Sequence, residues 1–166
     1  MNVIVKKVTN SKDQELFYGV EINEVSQVRK VLGEGANVNA RDKGSSTPLM
    51  RAAVHGSYLM SAMLLQEGAD VNATETQGWS ALHFAAQKHD EPVTRLLLDL
   101  GANVNAQDSY GNTPLVKAVL NCQGRGEIVT LLLSRGADPN IENKSGISAV
   151  KLAQTISNYN VKQFFE

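Results

Sequence analysis

An all-α repeat solenoid, a line of stacked helix pairs, is the fold class this sequence predicts, and three observations predict it. The pattern Gly-Ala-x-x-Asn occurs four times, opening at Gly35, Gly68, Gly101 and Gly136. Those glycines step by 33, 33 and 35 residues, the period of one small unit copied along a line. Within each full period the same succession returns: a hydroxyl residue, a short helix with small residues, then a leucine-rich helix. A unit of this size cannot bury its own apolar face, so stacking on neighbours supplies the core.

The elements follow in order. Residues 1–11 are an N-terminal extension that matches no unit, with Val3, Ile4, Val5 and Val8 available to pack on the first one. Residues 12–42 are an N-terminal capping unit, which keeps Leu16-Phe17, Val28 and Val31-Leu32 and carries a polar, solvated face at Lys12, Asp13, Gln14 and Glu15. Residues 43–75, 76–108 and 109–143 are full units. Their first helices open at Thr47-Pro48, Ser80-Ala81 and Thr113-Pro114. There a hydroxyl oxygen caps an orphan N–H, and proline at the first helical position gives up nothing. The pairs Ala52-Ala53, Ala85-Ala86 and Ala118-Val119 let neighbouring helices approach closely.

The second helices are built on Met63-Leu64-Leu65, Leu96-Leu97-Leu98 and Leu131-Leu132-Leu133, and Pro92 sits in a first turn with Asp90 or Glu91 as cap. Each ends at a motif glycine suited to the left-handed conformation. Gly44, Gly78, Gly111 and Gly146 mark tight turns between units. Residues 144–166 are a C-terminal capping unit opened by Ser148-Ala149, in which Tyr159, Val161, Phe164 and Phe165 seal the last face. The unit at 109–143 holds two extra residues within Leu120–Gly126, a tolerated lengthening of the loop or an added contact loop.

Thr47-Pro48-Leu49-Met50, Ser80-Ala81-Leu82-His83 and Gly68-Ala69-Asp70-Val71-Asn72-Ala73 carry a resemblance to the ankyrin repeat over about residues 14–166. The resemblance implies helix–loop–helix units with β-hairpin tips at about 41–46, 74–79, 107–112 and 142–147. It also implies that His83 hydrogen-bonds near its helix start, and that the tips and first helices form one concave strip.

Chemistry is sparse. Net charge is −1, which gives no general field for nucleic acid or an anionic membrane. No stretch approaches the roughly 18 apolar residues of a membrane span, and the start lacks the apolar run of a signal peptide. A soluble, cytoplasmic chain, monomeric when alone, is the expectation. Cys122 is the only cysteine; it reads as a loop thiol without a basic activator. His55 and His89 fall near first-helix ends, where solvent or a partner is the expected neighbour, and no histidine pair has a metal-ligand spacing. No phosphate loop, dinucleotide fingerprint or nucleophile elbow is present. Neither cofactor nor metal is expected. Asp42, Glu75, Asp108 and Asn143 share one position five residues before a helix cap, where a short acceptor satisfies turn N–H groups.

Subtracting structural positions leaves a strip. It holds Lys43, Ser45, Ser46, Met50, Arg51, Val54 and His55 in the second unit, with burial between the helices as the alternative for Met50 and Val54; Thr76, Gln77, Trp79, Gln87 and Lys88 in the third. Ser109, Tyr110, Asn112, Leu120 and Asn121 follow in the fourth, then Lys144, Ser145 and Ile147. Trp79 and Tyr110 are the aromatic anchors, with Trp79 also able to fold back on its own hairpin or stack on Tyr110. Arg51 and Lys88 beside them suit an acidic partner surface. The function expected is non-catalytic, stoichiometric protein binding, with inhibition of a partner enzyme or toxin, as by an immunity protein or antitoxin, as its first form. An adaptor or chaperone-like scaffold is the alternative; an enzyme with a site in the groove and a nucleic-acid binder are more distant ones.

Overall fold

The computed structural model describes residues 11–156 and 160–165. Among these, nine α-helices follow in order: α1 (Ser11–Glu21), α2 (Val25–Gly33), α3 (Pro48–His55), α4 (Tyr58–Gln66), α5 (Ala81–Lys88), α6 (Glu91–Asp99), α7 (Pro114–Asn121), α8 (Glu127–Ser134) and α9 (Ala149–Thr155). A short 3-10 turn, Val161–Phe165, closes the described chain. The odd-numbered helices pack on one another as an inner row, the even-numbered ones as an outer row, and the 3-10 turn packs on α9 where a fifth outer helix would stand. The apolar extension and Tyr159 lie outside the described residues.

Equivalent residues build the core. Leu16, Leu49, Leu82 and Leu115 are buried at one inner-row position; Val31, Leu64, Leu97 and Leu132 repeat this in the outer row. Full burial of each such side chain contributes about 1.5–3 kcal/mol. Ala52, Ala53, Ala85, Ala86 and Ala118 are fully buried, so the inner helices do pack through small side chains. Thr47 and Thr113 accept from the N–H groups of Met50 and Val116, each at 3.3 Å. Asp90 caps α6, accepting from Val93 at 2.9 Å.

Gly35, Gly68, Gly101 and Gly136 all take positive φ, between 85° and 95°. The asparagine of the motif has a role of its own. Asn39, Asn72 and Asn105 each accept through Oδ1 from the next unit's Asp70, Asn103 or Asp138 N–H at 2.8–2.9 Å. Each also donates through Nδ2 to the next motif glycine's carbonyl at 3.1–3.3 Å. Asp13 performs the equivalent task for the first unit by accepting from the Asn37 N–H at 2.9 Å, and Lys12 reaches the Glu34 carbonyl. Both are therefore tied into the stack rather than simply solvated.

The tips are tight turns, with a single β-bridge, Thr74 to Ser80, among the described residues. In each, one oxygen of the shared acceptor takes the N–H groups two and four residues on. Asp42 serves Gly44 and Ser46, Glu75 serves Gln77 and Trp79, Asp108 serves Tyr110 and Asn112, and Asn143 serves Ser145 and Ile147, all at 2.8–3.0 Å. Gly78, Gly111 and Gly146 take the left-handed turn position, but Gly44 does not. In the first tip Ser45, at φ 63°, stands there, one residue later than the glycine suggests. Tips are joined in series: Thr76 N–H to Gly44 O, Ser109 N–H to Gln77 O, Lys144 N–H to Tyr110 O.

The two extra residues sit between α7 and α8, where Gln123 and Gly124 take positive φ. The lengthened loop does form a contact, and it is with this chain's own C-terminus. A Cβ on Gly126 would come within 2.1 Å of the Phe164 ring, so only glycine leaves that aromatic its seat. Val161 is fully buried, and Phe164 and Phe165 pack against the core.

Candidate interaction face

The tips and the exposed side of the inner helices make one strip, and most of the expected site residues lie on it. Lys43, Thr76, Gln77, Lys88, Ser109 and Tyr110 are exposed; Ser46, Trp79, Gln87, Asn112 and Asn121 are half-buried. Several carry structural duties. Thr76 Oγ1 donates to Gly44 O at 2.8 Å, Asn112 Nδ2 reaches Asp108, and Asn121 Nδ2 donates to Lys117 O at 2.9 Å. His55 is exposed and pairs with Glu21 at 2.8 Å.

Cys122, the expected loop thiol, follows α7 and is buried. Three expectations are corrected. Met50 is buried; its sulfur accepts from the Thr47 N–H at 3.4 Å, so it belongs to the helix cap and not to the strip. His89 faces no solvent-filled groove: it holds a left-handed helix end and its Nε2–H donates to Ala118 O of the next unit at 2.9 Å. Arg51 is not a free positive charge, because its guanidinium bonds Asp42 and lies 3.7 Å from Glu21. Hydrogen bonds from Arg51, Ser46 and Gly44 outweigh burial and hold the Asp42 carboxyl below its ordinary range.

Trp79 has more local company than its position on a tip suggests. Its ring lies 4.9 Å from Phe84 and 6.0 Å from His83, centroid to centroid, and Lys117 Nζ stands 4.1 Å from the ring centre. Lys117 in turn pairs with Asp108 at 2.8 Å, with the two side chains 10% and 0% exposed. Burial alone would raise the Asp108 carboxyl; Lys117, Asn112 and the Tyr110 N–H overcome that and lower it. His83 is buried and neutral: Nδ1 accepts from the Ser80 N–H at 3.1 Å and Nε2–H donates to Asn112 O at 3.1 Å. Burial, the largest influence, drives its pKa down to about 4.

Phe84 and Lys117 are the strip residues that sequence reasoning missed. Both occupy the helix position of Arg51, and Asp108 precedes Lys117 by nine residues as Asp42 precedes Arg51. That spacing was the available signal.

These features define a class: a solenoid of helix pairs that presents its tips and inner helices as a single strip. Two family models match the chain, one described as ankyrin repeats in three copies over residues 63–143, the other as ankyrin repeats in many copies over residues 32–85. The chain belongs to the ankyrin-repeat family, and it is a protein–protein interaction module. No curated protein matches it. Among the described residues no helix is long and apolar enough to cross a membrane, and no group of three His, Cys, Asp or Glu could hold a metal ion.

Proposed function

We propose that this protein binds another protein stoichiometrically along the tip-and-inner-helix strip and thereby inhibits or neutralises it, in the manner of an immunity protein or antitoxin. The observation that carries the reading is that exposed Tyr110 (61%), Leu120 (55%) and Ile147 (40%) stand on the strip beside the half-buried pair Trp79 and Phe84, whereas the exposed Leu59 and Leu100 lie in the outer row, where the described residues form no ring pair. Large apolar side chains ringed by polar ones are the usual energetic centre of an interface. Lys43 and Lys88, exposed at the margins, suit acidic groups on the rim of the partner.

Titration of a candidate partner enzyme, beginning with the product of a neighbouring gene, tests the proposal. Activity is expected to fall linearly to a floor at one equivalent, with a one-to-one complex on size exclusion. Trp79→Ala plus Tyr110→Ala should abolish both. A complex that leaves the partner fully active would exclude inhibition and favour a scaffold.

A further inference from the structure

A cleft of about 320 Å³ opens at the middle of the strip, lined by Glu75, Gln77, Trp79, Phe84 and Gln87. Its volume is at the lower end for a small-molecule site, roughly 300–1,000 Å³, and suits one side-chain head. The chain itself indicates what belongs in it. At the tip-acceptor position the second unit has Asp42, matched with Arg51 four residues into the following helix segment from Thr47; the fourth has Asp108, matched with Lys117. In the third unit the same two positions hold Glu75 and Phe84. The carboxylate is retained and its cation is replaced by an aromatic ring. Glu75 Oε1 is committed to the Gln77 and Trp79 N–H groups at 2.8 and 2.9 Å, and among the described residues no cation pairs with Glu75. The nearby Lys117 is compensated by Asp108.

Resting on the strip as the binding face, we infer that this cleft receives an arginine side chain of the partner protein. The guanidinium supplies, from outside, the charge that Arg51 and Lys117 supply in the flanking units, and lies against the Phe84 ring that stands at their position. It pairs with Glu75 Oε2, stacks on the Trp79 and Phe84 rings, and donates its remaining N–H groups to the side-chain carbonyls of Gln77 and Gln87. A planar, weakly hydrated cation with a fork of donors fits an aromatic-walled carboxylate site better than the compact, strongly hydrated ammonium of lysine.

Trp79 is the only tryptophan, so its fluorescence reports on the cleft directly. The probes are N-acetyl-arginine amide and the uncharged N-acetyl-citrulline amide, titrated at constant ionic strength. A saturable change with the arginine probe and none with citrulline is expected. Glu75→Gln keeps an oxygen for the turn N–H groups and should weaken arginine binding about tenfold or more. Phe84→Arg restores the cation inside the chain and should remove binding, with a folded state checked by circular dichroism. Equal responses to the two probes, or unaltered binding by Glu75→Gln, would overturn the inference. If the arginine probe fails while Trp79→Ala plus Tyr110→Ala still abolishes inhibition, the strip stands and the cleft proposal alone falls.

Discussion

The junction of the second and third units and that of the third and fourth share a backbone plan and differ in how side chains cross them. At the earlier junction Met50 stands where the later one has His83. Both accept from the N–H of their own cap residue, Thr47 or Ser80, but only the imidazole has a second arm, which reaches Asn112 O in the next unit. Gly56 likewise stands where His89 reaches across to Ala118 O. Above these bonds the later junction adds Trp79, Lys117 and Asp108. A solenoid can thus keep one geometry throughout while making a single joint polar, buried and sensitive to protonation.

The largest expected effect separates two ion pairs at equivalent positions. Lys117→Ala leaves the fully buried Asp108 carboxylate without its cation and should cost roughly 3–5 kcal/mol. Arg51→Ala acts on a pair whose arginine is 40% exposed and should cost at most about 1 kcal/mol. Urea denaturation of both variants measures the difference; equal losses would erase the distinction between the joints.

Acidification comes next. The unfolded His83 takes up a proton near pH 6.5, while the folded one resists until about pH 4. Between those values the unfolded chain binds more protons, so stability falls as the pH falls, by up to roughly 3 kcal/mol in total. His89, whose pKa burial also lowers, adds to the loss in the same direction. His83→Met, which copies Met50, should flatten the dependence measured by denaturation at pH 7 and pH 4.5. An unchanged slope would clear His83 of the role.

The smallest effect concerns the tips. Ser45→Gly puts glycine at a left-handed position that Gly78 already holds one unit on, and should raise stability by about 0.5–1 kcal/mol. The reverse change is barred at Gly78, where a Cβ would meet the Ser109 backbone nitrogen at 2.9 Å, so Gly78→Ala should destabilise. Thermal melts of the two variants should shift in opposite directions.

Repeating features were legible in the sequence because the chain writes them several times. The hydroxyl caps, the left-handed motif glycines and the tip acceptors at Asp42, Glu75, Asp108 and Asn143 could each be checked against their copies. What escaped was local departure. Gly44 drew the turn one residue early, because glycine tolerates a left-handed φ but does not require it. Met50 looked available because burial depends on the unit alongside, which lies a full period away. Trp79 looked unburied for two reasons: the turn of its own unit brings Phe84 and His83 back against the ring, and Lys117 reaches it from the following unit.

The asparagine bonds have a consequence for how such a chain can change length. Asn105 holds Gly136 and Asp138 as Asn72 holds Gly101 and Asn103, although the interval from Gly101 to Gly136 is two residues longer. The joint counts units and is indifferent to the residues between them, because the surplus loops out between α7 and α8. Asn140, last in the series, keeps the same turn with Asp138 but has no further glycine carbonyl to hold among the described residues. A further unit with the same motif would meet at Asn140 the residue type that Asn39, Asn72 and Asn105 use as a connector.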